Sequence, residues 1–147
     1  MKTDARQKAK DTFNSGGFFW AESVLLAVAD SQGIQSDLIP KIATGFCSGL
    51  ARTGGLCGAI SGVIMSLGLI NGRMVPGASV DETYVSVQKL LEQFETRFGS
   101  TRCLSLTGVH LGSEEGQAEF LQNNQIEGCL TYVKFTTRFV MDVINSQ

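Results

Sequence analysis

Apolar positions along the chain recur at three- and four-residue spacing, the mark of helices that bury one face. The clearest stripe is Val87, Leu90, Leu91, Phe94 and Phe98, in a helix from Val80 to Phe98. Ser79, followed three residues later by Glu82, matches a capping box that starts this helix, and Gly99 ends it. Val24, Leu25, Val28 and Ala29 form a second stripe, in a helix from Phe18 to Gln32 stopped by Gly33. Val133, Phe139, Val140 and Val143 mark a last helix, from Gly128 to Ile144. Thr131, Thr136 and Thr137 lower its propensity without overturning the pattern. Polar residues from Lys2 to Phe13 suit a first helix that stops at Asn14-Ser15-Gly16-Gly17. Ser36-Asp37, with Pro40 in the first turn, predicts a short helix to about Thr44. Ser100 to Leu106 and Glu115 to Asn123 are two further short helices, with Thr107 to Gly116 as loop.

No alternating strand pattern, internal repeat, low-complexity tract or linker interrupts the series. The expected fold is all-α, one domain over residues 1–147, a compact bundle of about five to seven helices. A glycine-rich loop, Gly45 to Gly55, precedes a central helix of small residues that Cys57 opens and that ends near Gly68 to Gly72. That region carries no charge between Arg52 and Arg73, and Gly58 and Gly62 form a GxxxG pair. Its convincingly apolar part, Leu56 to Ile70, is shorter than the roughly 20 residues of a membrane span, so a buried core helix is expected. Gly58 and Gly62, one turn apart, let another backbone or a cofactor approach closely. The simpler reading is helix packing, within the chain or against a second copy in a homodimer.

Composition narrows the function. The chain has 147 residues and a net charge of −2, without the basic footprint of a nucleic-acid binder. It holds 17 glycines, nine of them between Gly45 and Gly77, and four cysteines against one histidine. The polar start Met1 to Arg6 lacks the apolar core of a signal peptide, so the expected compartment is the cytoplasm, where thiols stay reduced. Cysteines there point to catalysis, sensing or metal binding rather than to structural disulfides.

The four are Cys47, Cys57, Cys103 and Cys129, at spacings that match neither CxxC nor a zinc knuckle nor a haem site. Their positions say more. Cys57 follows Gly54-Gly55 at a helix start, where unpaired N–H groups and the helix dipole favour a thiolate. Cys129 follows Gly128 in the same way, and Cys103 follows the cation Arg102. Gly45, Gly49, Gly54 and Gly55 could form an anion-binding nest, but no nucleotide-loop pattern accompanies them. Arg52 either tunes a nearby thiolate or faces solvent. His110 has no metal-spaced partner and reads as a loop residue, and Glu114-Glu115 as solvated surface.

These residues resemble a family of proteins assigned a redox role and named for the pattern C_GCAxxG_C_C. The resemblance rests on Ile42-Ala43-Thr44-Gly45-Phe46 and on Arg52-Thr53-Gly54-Gly55-Leu56-Cys57-Gly58-Ala59-Ile60-Ser61-Gly62. It continues in Phe98-Gly99-Ser100-Thr101-Arg102-Cys103 and Gly128-Cys129, and Ser23 to Ala27 is similar to the helix after the family's first cysteine. At that first cysteine the chain departs, because the run reads Phe19-Trp20-Ala21. Cys47 either supplies the missing sulfur from another element or is unrelated to it. The resemblance implies a helical, cytoplasmic protein, an oxidoreductase or electron carrier with an unidentified redox partner and no membrane insertion. Cys57, Cys103 and Cys129, with or without Cys47, would act as redox thiols in disulfide exchange. In the alternative they would ligate an iron–sulfur cluster or a single zinc or iron ion. Gly54, Gly55, Gly58, Gly62 and Arg52 are the candidates for cofactor contact. A non-catalytic helical interaction module, with core cysteines and no cofactor, is the reading from a different class.

Overall fold

The structure, a computed structural model, describes residues 4–147. The predicted start of the first helix at Lys2 lies outside them. The chain is all-helical, in the order α1 (Ala5–Gly16), α2 (Trp20–Ser31), a 3-10 segment (Lys41–Phe46), α3 (Cys47–Arg52), α4 (Gly58–Asn71), α5 (Asp81–Phe98), α6 (Cys103–Thr107), α7 (Glu114–Gln122) and α8 (Gln125–Asn145). Two of these, α3 and α6, are short turns that carry a cysteine each.

The small-residue helix α4 is the centre of the packing. Its Ile60, Val63 and Leu67 are buried against Val24 and Val28 of α2, Leu90 and Phe94 of α5, and Val133 and Val140 of α8. Each such side chain contributes about 1.5–3 kcal/mol when fully removed from water. Burial on several sides explains the uncharged stretch between Arg52 and Arg73. Two polar residues survive inside it because each hydroxyl bonds a carbonyl. Ser66 Oγ donates to Gly62 O at 2.7 Å, and Ser61 Oγ to Gly58 O at 3.2 Å. Among the described residues, no helix is long and apolar enough to cross a membrane.

The Gly58/Gly62 face is covered by the chain's own α2. A methyl group at Gly62 would lie 2.9 Å from Val24 Cβ and 3.0 Å from Ala21 O. A methyl at Gly58 would lie 3.5 Å from Ala21 N and 3.7 Å from Trp20 Cβ. The simple packing reading therefore holds, and this face is not open to a second copy.

Several boundaries differ from the pattern. The short helix expected from Ser36 is instead a turn, in which Ser36 Oγ accepts the Leu38 N–H at 3.2 Å, followed by the 3-10 segment from Lys41. The capping box at Ser79 does not form, because Val80 is the N-cap of α5 and carries no side-chain cap bond. Ser79 Oγ accepts the Asp81 N–H at 3.1 Å, while Glu82 accepts from Gln147 Nε2 at 3.2 Å. Helix α7 starts where Ser113 Oγ accepts the Gly116 N–H at 3.0 Å. Helix α8 starts at Gln125, three residues before Gly128, so Cys129 lies past its first turn and not at its N-terminus.

Candidate functional site

Three of the four cysteines meet at one end of the bundle. Leu56 and Arg102 form an isolated antiparallel bridge. The Cys57 N–H donates to Thr101 O at 2.9 Å, and the Cys103 N–H to Gly55 O at 2.7 Å. These two bonds tie the segment that enters α4 to the segment that enters α6, and so set Cys57 and Cys103 side by side. Helix α8 brings Cys129. All three line one pocket of about 210 Å³ with Gly58, Trp20 and Phe13. Phe19, Phe120, Leu121, Leu111 and Ile126 make the rest of its surface largely apolar, and Ser48, Arg52 and Gln117 add its polar groups.

The glycine-rich stretch before α4 is a left-handed turn rather than a loose loop. Ser48, Gly49, Leu50 and Ala51 have φ of 57°, 67°, 56° and 56°. Arg52 follows at 68°. Only Gly49 adopts this conformation freely; each of the others costs about 1–2 kcal/mol. Hydrogen bonds hold the turn closed. Gly49 O accepts the Gly55 N–H at 2.9 Å, and Thr53 Oγ1 donates to Leu50 O at 2.8 Å. The geometry brings Gly49 hard against Cys103, so that a methyl at Gly49 would fall 2.5 Å from Cys103 Cβ and 3.1 Å from its Sγ. The strained turn is thus a wall of the thiol pocket.

Burial dominates the electrostatics. The Cys57 thiol is pushed up to about 11, mainly by burial and further by the neighbouring Cys103 sulfur. The N–H groups of Ala59 and Ile60 pull the other way, as a helix start should, but burial outweighs them. The expectation of a thiolate favoured at Cys57 is therefore reversed for the reduced resting state. Cys129 is pushed up to about 12 by burial, then by Cys57 and Cys103. Cys103 is raised by burial and lowered by the Thr107 hydroxyl; Arg102 is exposed and is not the group that tunes it. Tyr132, one turn along α8 from Cys129, is raised chiefly by burial and further by all three sulfurs.

A pH dependence follows. A buried thiol whose value rises from the usual 9.0 to about 11 favours the folded state as long as it stays protonated. The reduced protein is expected to hold its stability below pH 9.0 and to lose it as pH climbs through about 11, and further through about 12 for Cys129. Thermal melts across this range check it; the double substitution of Cys57 and Cys129 by alanine should flatten the fall.

Cys47 stands apart. It is buried on the other side of the left-handed turn, and its Sγ donates to Glu22 Oε1 at 3.4 Å and to Ala43 O at 3.6 Å. Its thiol is pushed up to about 11, chiefly by burial. Glu22 also accepts from Thr44 Oγ1 at 3.0 Å and from the Phe19 N–H at 3.1 Å. Cys47 does not line the pocket of the other three. Of the glycines proposed for cofactor contact, Gly58 lines the pocket, Gly54 and Gly55 are buried in its backbone frame, and Gly62 belongs to the α2–α4 packing. Arg52 is exposed at the pocket edge. His110 lies in a loop and its Nδ1 accepts the Gly112 N–H at 3.1 Å.

The donor set does not fit a four-thiolate iron–sulfur cluster. Such a cluster needs four ligands. The pocket offers three sulfurs, and Trp20 stands at the remaining wall with an indole that cannot ligate. Among the described residues, no group of three or more His, Cys, Asp or Glu side chains could hold a metal ion.

A small helical protein with three thiols gathered in a recessed, aromatic-walled pocket is the class that fold and site define. The chain belongs to the family described as "Putative redox-active protein (C_GCAxxG_C_C)", whose model matches residues 18–143. Neither the curated proteins nor the solved structures include a match. The family match begins at residue 18 and so spans Trp20 and all three pocket cysteines.

Proposed function

We propose that the protein is a dithiol redox carrier in which Cys57 and Cys103 cycle between two thiols and one disulfide. The observation that carries this reading is the pair of backbone bonds, Cys57 to Thr101 and Cys103 to Gly55, that fixes the two cysteines on adjoining segments at one pocket. In oxidation the two S–H bonds break, one S–S bond forms, and two protons and two electrons pass to an acceptor. Cys103 is the half-buried member of the pair and Cys57 the buried one, which makes Cys103 the sulfur that meets the acceptor and Cys57 the one that closes the disulfide. Cys129 is the third sulfur of the pocket and stays reduced in this cycle. A reducing compartment such as the cytoplasm would return the pair to thiols. The family's redox description supports the same reading.

The test is an anaerobic redox titration of the purified protein, with thiol trapping and peptide mapping at each potential. The expected result is one two-electron couple that maps to Cys57 and Cys103. Reaction of all four thiols only after denaturation, with no couple, would overturn it.

A further inference from the structure

The Trp20 indole lies parallel to the Phe13 ring. Their centroids are 3.9 Å apart and their planes 10° apart. The stacked pair forms one wall of the thiol pocket and Phe120 contributes to another. At about 210 Å³ the pocket is smaller than the roughly 300–1,000 Å³ usual for drug-sized ligands. Cys57 is buried and Cys103 half-buried in this lining, so an acceptor reaches the pair through the pocket. A flat ring entering beside Trp20 gains offset stacking and apolar burial. A charged molecule would lose its hydration against the same aromatic and aliphatic walls, with Arg52 at the edge the one charged side chain among the described lining residues.

One dithiol releases two electrons and two protons together. Among flat rings, quinones and flavins take up that same set, and a quinone is the smaller, as a pocket of about 210 Å³ requires. We propose that the acceptor for the Cys57–Cys103 pair is a small uncharged quinone held against Trp20, an inference that rests on the dithiol reading above. In the step, the two S–H bonds break and the S–S bond forms. The two carbonyl oxygens of the quinone receive the protons and electrons and become the hydroxyls of a hydroquinone, so atoms and electrons balance.

The experiment mixes the reduced protein anaerobically with tetramethyl-1,4-benzoquinone, whose ring has no free carbon for thiol addition. The expected result is one hydroquinone and one Cys57–Cys103 disulfide per protein. Trp20→Ala slows this reaction about tenfold, as loss of a stacking face should. Trp20→Leu, which keeps apolar bulk in the wall, slows it likewise, and Trp20→Phe retains most of the rate. Diamide, a small polar thiol oxidant, forms the same Cys57–Cys103 disulfide in the wild type and in each of these variants, so a slowed quinone reaction is not the loss of a competent dithiol. If insulin disulfides or glutathione disulfide oxidise the pair as fast as the quinone does, the acceptor assignment is overturned while the dithiol reading stands. An unchanged quinone rate in Trp20→Ala and Trp20→Leu overturns it too. If no oxidant, diamide included, forms a disulfide in the pocket, the dithiol reading itself fails.

Discussion

Replacing Cys57 with serine is expected to abolish the two-electron couple outright. Cys57 is the buried partner at the start of α4, held by its own N–H to Thr101 O at 2.9 Å. A serine there keeps the backbone frame and the size of the side chain but cannot form a sulfur–sulfur bond. Cys103→Ser should lose the couple equally. Cys129→Ser should keep it, because α8 only completes the pocket. Cys47→Ser should keep it as well, because that thiol faces Glu22 and Ala43 instead. Redox titration of the four single variants, with trapped thiols counted by mass, distinguishes these outcomes. An unchanged titration in Cys57→Ser would remove the pairing proposed here.

Gly49→Ala is expected to be the most damaging single-methyl change at the site. It places a side chain at a φ of 67° and within 2.5 Å of Cys103 Cβ. The left-handed backbone costs about 1–2 kcal/mol for alanine, and forcing the close contact apart costs about 1–3 kcal/mol more. The expected loss, about 2–5 kcal/mol, corresponds to a fall in Tm of roughly 6–15 °C for a chain of this size. Because Cys103 is the atom that must give way, disulfide formation should slow in the folded variant as well. Calorimetry together with the rate of diamide oxidation checks both. A variant with wild-type Tm would mean that the turn does not press on Cys103.

The helices were largely legible because their information is local. The stripe from Val87 to Phe98 specifies α5, and uncharged small residues specify a core helix at α4. What escaped is non-local or disguised. The left-handed turn contains a single glycine among Ser48, Leu50, Ala51 and Arg52, residues that ordinarily avoid that conformation, so nothing in composition announces it. The contact of Cys47 with Glu22 spans 25 positions and is invisible to periodicity. Gly128 suggested a helix start beside Cys129, but Asn124, in a left-handed conformation with φ of 53°, opens α8 earlier. Cys57, Cys103 and Cys129 could be named from sequence, and Trp20 could be noticed as a departure. That Trp20 lines the same pocket depends on where α2 begins relative to α4. Phe13 and Phe120 carry no signal beyond being apolar residues on mostly polar helices. The helix-start argument for a low thiol value at Cys57 identified a real effect of the right sign, and burial proved larger.

The pocket wall at position 20 also sets a genetic distance. Tryptophan and cysteine codons share their first two bases and differ in the third, so a single nucleotide separates the two residues at this site. Trp20 Cβ already lies 3.7 Å from the position of a methyl on Gly58, at the mouth of α4. A cysteine there would enter the wall that the indole now occupies with less bulk, giving up the indole's packing on the core and its stack on Phe13. One point mutation therefore stands between a pocket of three sulfurs closed by an aromatic stack and a pocket of four.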